Sequence, residues 1–139
     1  MHLYSKQLLQ QAKNPSHAGI LQDATHSTTH NNPLCGDRIQ WTIRVVANHI
    51  DDVRHHTRGC ALCIASASLL SKRIVGQKIP HVVNKIQAFT QQVNQMLETE
   101  DDVEDTLLNT FTGLRHAPSR KTCVLLPWEG LKEAITKDK

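Results

Sequence analysis

Between residues 38 and 46 apolar and polar positions alternate without a break. Ile39, Trp41, Ile43 and Val45 fall on one face, and Arg38, Gln40, Thr42 and Arg44 on the other. A period of two predicts a strand half-buried against a core. Ala47-Asn48-His49 reads as a turn, and Ile50 to Thr57 as a second strand paired back as a hairpin. Elsewhere the period is helical. Leu3, Tyr4, Leu8 and Leu9 predict a helix over 2–12, stopped by Asn14-Pro15. Residues 61–75 mix Ala61, Ala65, Ser66, Ala67 and Ser68 with larger apolar residues, which predicts a helix able to pack closely on a sheet, with Gly76 as its C-cap. Pro80 opens a helix over 81–98 whose buried stripe is Val82, Val83, Ile86, Phe89, Val93 and Leu97. Leu107, Leu108, Phe111 and Leu114 mark a short helix, HAPSRK a loop, and 124–137 a last helix with Pro127 in its first turn. Residues 16–34 are weakly patterned, and ATHSTTHNNP reads as an irregular edge strand or a loop. The order of helix, strands and helices predicts an α+β fold, a small antiparallel sheet with the helices mainly on one face.

Composition narrows the function classes. The 139 residues suit one domain, 1–139, and contain no internal repeat or linker. No run of 18 apolar residues occurs, which excludes a membrane-spanning helix. The opening MHLYSKQLLQQAKNP turns polar within a few residues and lacks an apolar leader core. The expected location is therefore the cytoplasm, where thiols stay reduced. Sixteen basic and thirteen acidic residues leave a net charge of +3, too small and too scattered to predict nucleic acid or a membrane surface as partner.

The informative residues are the cysteines. Cys35 lies in a Pro-Leu-Cys-Gly-Asp stretch before a strand, Cys60 at a strand-to-helix junction, and Cys123 at a loop-to-helix junction. At element ends side chains converge from different parts of the chain, and helix N-termini favour the thiolate. Asp37 projects from the same loop as Cys35, and Gly36 lets the backbone turn tightly. Three thiolates and one carboxylate are enough for a closed tetrahedral zinc site. The spacing equally suits three buried cysteines acting as small hydrophobes.

Sequence motifs bear on that choice. NNPLCGDRIQWTIRV, TRGCALCIASASLLSKRI and RKTCVLLPWEGLKEAI, in that order and with LYSKQLLQQAKNP before them, resemble the U-type iron–sulfur cluster assembly proteins: the NifU N-terminal domain, IscU and SufU. The resemblance covers almost the whole chain. It resembles the SufU branch more than the IscU branch: Thr122 stands where IscU-type proteins carry His before the last cysteine, the LPPVK motif is missing, and the stretch before Cys123 is long. The resemblance implies a SufE/NifU-like three-stranded sheet, and Cys35, Asp37, Cys60 and Cys123 as ligands of zinc. Iron or a transient [2Fe–2S] cluster on the same ligands is the alternative. A cysteine desulfurase and downstream iron–sulfur assembly or acceptor proteins are the implied partners, and the implied role is to carry persulfide sulfur or assemble clusters rather than to act as an enzyme. Zinc holds thiolates deprotonated until one is released. Cys35, in its glycine-containing loop, is the preferred sulfur acceptor, and Cys123 the alternative that IscU-type relatives suggest. A hard oxygen ligand, Asp37, among sulfurs suits a labile site. A purely structural zinc module is the remaining alternative.

Other reactive-looking residues receive plainer readings. Cys63 completes a CxxC with Cys60 but lacks a thioredoxin-like context, so packing is expected. His26 and His30 form an HxxxH in a segment that does not predict a helix, and are expected to be solvated. His55 and His56 precede Cys60 and could lie near the site, and His116, close to Cys123 in sequence, could help it, although a plain solvated role is the expectation for His116. Ser66 and Ser68 have no base placed beside them and are expected to pack. Lys72 and Arg73 complement a helix C-terminus. Arg38 and Arg58 flank the cysteine loops, either steadying thiolates or solvated. The acidic run 100–105 is expected to be a solvated connector, and Trp128 a core residue.

Overall fold

A computed structural model describes residues 4–32 and 36–137. Helix α1 (Lys6–Lys13) leads into three strands, β1 (His26–Asn31), β2 (Arg38–Val46) and β3 (His49–Arg58). Helices α2 (Ala61–Ile74) and α3 (Ile79–Leu97) follow, then a single turn α4 (Thr106–Asn109), two 3-10 turns (Thr112–His116 and Pro118–Arg120) and helix α5 (Lys121–Thr136). The strands form one antiparallel sheet in the order β1-β2-β3. The expected α+β class is observed.

The β2–β3 hairpin turns at Ala47 and Asn48, both with positive φ (50° and 64°), the twist a tight two-residue hairpin requires. A bulge between Arg44 and Val45 shifts the register near that turn. The inner sheet face carries Ile39, Trp41, Ile43, Val53 and His55. Against it packs α2, whose small residues bring it close, as expected. Helix α5 then lies on α2 and on the inner faces of β1 and β2. Trp41 Nε1–H donates to the Pro127 carbonyl at 2.9 Å. Trp128 is buried as expected, stacked on Phe89 with ring centroids 3.9 Å apart. Its indole N–H donates to Ser66 Oγ (2.9 Å), which donates to the Val124 carbonyl (2.6 Å). Ser66 and Ser68 are thus buried, hydrogen-bonded packing residues.

Four boundaries differ from expectation. The first helix, expected from residue 2, begins at Lys6, where the Ser5 hydroxyl caps it by accepting the Leu8 N–H at 3.1 Å. The polar segment at 26–31 is a regular strand, paired residue for residue with β2. Its inner face is polar because α5 supplies polar partners: Thr28 and His30 both reach Glu133, at 3.3 and 3.0 Å. His26 and His30 accordingly sit on a strand, and His30 Nδ1 contacts the Glu133 carboxylate. Helix α5 starts at Lys121, so Pro127 lies in its second turn rather than its first. The preceding 3-10 turns, in place of the expected HAPSRK loop, feed directly into the helix and advance its start. The short helix at 107–114 is broken into α4 and a 3-10 turn. Asp105 caps α4, accepting the Leu108 N–H at 3.0 Å, and the other acidic residues of 100–105 are exposed.

The outer edge of β3 is partly covered. His55 N–H donates to the His17 carbonyl and Gly19 N–H to the His55 carbonyl, both at 2.9 Å. The His55 ring is buried beside Trp41, with Nε2–H donating to the Ser16 carbonyl at 2.8 Å and Nδ1 2.8 Å from Thr57 Oγ1. These contacts give the ring a structural role.

Candidate metal centre

Asp37, Cys60 and Cys123 meet at the end of the sheet opposite the β2–β3 turn. One ligand atom from each lies within 4.8 Å of the other two. They come from three elements. Asp37 immediately precedes β2, Cys60 is the N-cap residue of α2, and Cys123 sits in the first turn of α5. The start of each helix is fixed by packing of that helix on the sheet, so convergence of the three is a property of the fold.

Asp37 is 3% exposed. A buried carboxylate is costly unless it is hydrogen-bonded or holds a cation. Its Oδ1 accepts the Cys60 backbone N–H at 3.2 Å, one of the donors that a helix N-terminus leaves unpaired. Gly59 makes room for it. A Cβ added there would stand 2.8 Å from Asp37 Cγ and would overlap Oδ1. Gly59 is thus required for close approach rather than for an unusual φ. Gly36 takes φ of 73°, the left-handed region its sequence position suggested. Two backbone bonds draw the loop ends together: Asn32 N–H to the Asp37 carbonyl (2.8 Å), and Gly36 N–H to the Asn32 carbonyl (2.9 Å). Asn32 Nδ2 also donates to Thr122 Oγ1 at 3.1 Å, tying this loop to the residue before Cys123.

Of the four expected ligands, three are brought together. Cys35 lies outside the described residues. Cys63 is fully buried in the core and does not join the group. His116 and His56 are exposed, and His55 has the structural partners given above. Arg38 and Arg58 are exposed.

The residue missed by sequence reasoning is Arg120. Its guanidinium lies beside the Cys60 and Cys123 sulfurs, and interaction with them, with a lesser part from Tyr4, holds its pKa above the ordinary arginine range despite some burial. The only signal for it was its place three residues before Cys123.

The donor set fits a zinc ion. Two sulfurs and a carboxylate oxygen match the ligands that ion accepts, and their clustering around a buried carboxylate gives that carboxylate a reason to be there. Sulfur-rich ligation suits iron–sulfur clusters as well.

Residues 3–138 match the family described as NifU-like N terminal domain. Among characterised relatives, the zinc-dependent sulfurtransferase SufU of Bacillus subtilis is 29% identical over 98% of this chain and 91% of that protein. The iron–sulfur cluster assembly scaffold protein IscU of Thermotoga maritima is 31% identical over 97% of this chain and 94% of that one. Among solved structures, a putative iron–sulfur cluster assembly scaffold protein for the SUF system from Fervidobacterium islandicum superposes with a TM-score of 0.77 at 25% identity, covering 96% of each chain.

Proposed function

The chain belongs to the family of NifU-like N-terminal domains, an iron–sulfur cluster assembly family, and we propose on that premise that it is a zinc-holding sulfur acceptor in that process. The observation that carries this reading is the meeting of Asp37, Cys60 and Cys123 from three separate elements within 4.8 Å. With Cys35 these residues would hold zinc, which when bound keeps thiolates deprotonated at neutral pH. The sulfur donor is a cysteine desulfurase bearing a persulfide. An acceptor thiolate attacks the terminal sulfur, forming one S–S bond and breaking another. The sulfane sulfur passes to this chain and the donor cysteine leaves as a thiolate, so no external oxidant or reductant is needed. Cys35 is the acceptor in this reading. Cys123 is 1% exposed and Cys60 is built into a helix cap, and both facts support leaving those two as anchors.

The test is metal content of anaerobically purified protein, wild type beside Asp37→Ala and Cys35→Ser. It is paired with transfer of radiolabelled sulfur from a desulfurase loaded with labelled cysteine. About one zinc per chain, lost in both variants, with label on the wild type only, is the expected result. Iron with matching sulfide and visible absorption would instead assign the centre to cluster scaffolding. A metal-free wild type would return the cysteines to a packing role.

A further inference from the structure

The solvent face of the sheet has two ends that treat arginine differently. Near the β2–β3 turn every arginine is neutralised. Arg44 pairs with Asp51 at 2.7 Å and with Asp23, and Arg54 pairs with Asp52 at 2.6 Å. At the other end the register sets Arg38 directly opposite Arg58 and Gln40 opposite His56. These four side chains line a small cavity of about 80 Å³. Among the described residues neither Arg38 nor Arg58 forms an ion pair, and both are exposed. Like charges facing each other across two strands are destabilising. Nothing within the described chain offsets that cost. The pair also borders the metal centre: Arg38 follows Asp37, and Arg58 is two residues before Cys60.

We infer that Arg38 and Arg58, with Gln40 and His56, form a docking site for an acidic side-chain cluster of the protein that exchanges sulfur with the adjacent thiols. The inference rests on the sulfur-acceptor reading for the identity of that partner. The ligand chemistry rests on the patch alone. Two guanidinium groups side by side present several N–H donors to carboxylate oxygens, and the Gln40 amide adds polar capacity. A short acidic segment fits better than a nucleic-acid backbone. A polyanion running along this face would meet Asp23, Asp51 and Asp52 at its other end. A contact confined to one end also leaves the partly exposed Cys60 beside it uncovered. Charge at such a rim speeds encounter and fixes register more than it adds affinity.

The test uses the full chain, labelled with nitrogen-15, and a capped hexapeptide of four glutamates between two glycines. Its all-glutamine counterpart and a twelve-nucleotide thymidine strand are the comparisons. Amide shifts at Arg38, Gln40, His56 and Arg58 with the glutamate peptide, and none with the glutamine one, are expected. Binding should weaken roughly tenfold in the Arg38→Gln/Arg58→Gln double variant, the scale of two exposed ion pairs, and should be unchanged in Arg44→Gln. Removing the facing charges should leave the unfolding midpoint the same or raise it, so loss of binding cannot be loss of fold. Shifts centred on Arg44 and Arg54, equal binding by the double variant, or tighter binding of the thymidine strand would each overturn the inference. Zinc content and sulfur transfer are measured in the same proteins. A patch that fails while both persist overturns only the docking site, whereas a patch that binds in a chain without zinc or sulfur acceptance overturns the partner assigned to it.

Discussion

Lowering the pH should destabilise this fold through one buried ring. His55 is 1% exposed, and burial pulls its pKa from the ordinary 6.5 down to about 4. The bond to the Ser16 carbonyl opposes that shift, and the neighbouring His17 and His56 reinforce it. Its contacts fit the neutral ring: Nε2–H donates to Ser16, and Nδ1 can accept from the Thr57 hydroxyl. Because the folded pKa lies below the unfolded one, the unfolded chain binds more protons between about pH 4 and 6.5. Stability is therefore complete above the unfolded pKa, falls as pH drops through this window, and levels off below about 4. Roughly two and a half pH units at about 1.4 kcal/mol each give about 3 kcal/mol, a large share of the usual 5–15 kcal/mol of a domain, roughly speaking. The assay is urea unfolding of wild type and His55→Gln from pH 7 to pH 4, with chelator present so that metal loss enters neither curve. Glutamine keeps an N–H for Ser16 and cannot titrate. The gap in stability between the two proteins should shrink by about 3 kcal/mol across that range. His17, also lowered chiefly by its burial, contributes to both proteins and cancels. A ring titration midpoint near 6.5 by NMR, or a gap that stays constant with pH, would refute the reasoning.

Two further substitutions probe the centre and the core. Gly59→Ala places a methyl group where Asp37 Oδ1 now sits, so Asp37 should be displaced and lose its bond to Cys60 N–H. Zinc affinity, measured by competition with a chromophoric chelator, should fall about 10- to 100-fold, the usual effect of disturbing groups that orient ligands. An unchanged affinity would show that Asp37 does not hold the metal. Ser66→Ala leaves the buried Trp128 N–H and the Val124 carbonyl without their shared partner. Urea unfolding should show a loss of about 1–3 kcal/mol, with zinc binding retained.

The elements read best where one face is apolar. Ile39, Trp41 and Ile43 announce β2, and Val82, Ile86, Phe89 and Val93 announce α3, because burial of a stripe is what makes each element stable. β1 was obscure for the converse reason. Its inner residues, Thr28 and His30, meet a glutamate on α5 rather than a hydrocarbon, so no alternation of apolar residues records the strand. The start of α5 was misplaced because Pro127 looks like a first-turn residue. Here the helix accepts the proline one turn later, and its carbonyl takes the Trp41 indole N–H as partner.

The site divides along similar lines. Thiols and a carboxylate at element boundaries are legible because their chemistry is scarce and their placement is set by the ends of strands and helices. Arg120 is not legible in that way. Arginine is common on surfaces, and what distinguishes this one is that the 3-10 turn at Pro118–Arg120 brings it to the start of α5, beside Cys60 and Cys123. The sequence HAPSRK predicts a loop where this turn forms. The same blindness applies to Arg38 and Arg58. Each alone is an ordinary solvent-facing strand residue, and only the register of β2 on β3 turns two scattered charges into one patch beside the thiols. A small net charge of +3 therefore argues against a polyanion for the whole chain while permitting a local cation of the opposite consequence. Which charges stay unpaired at this end of the sheet is settled by register, not composition.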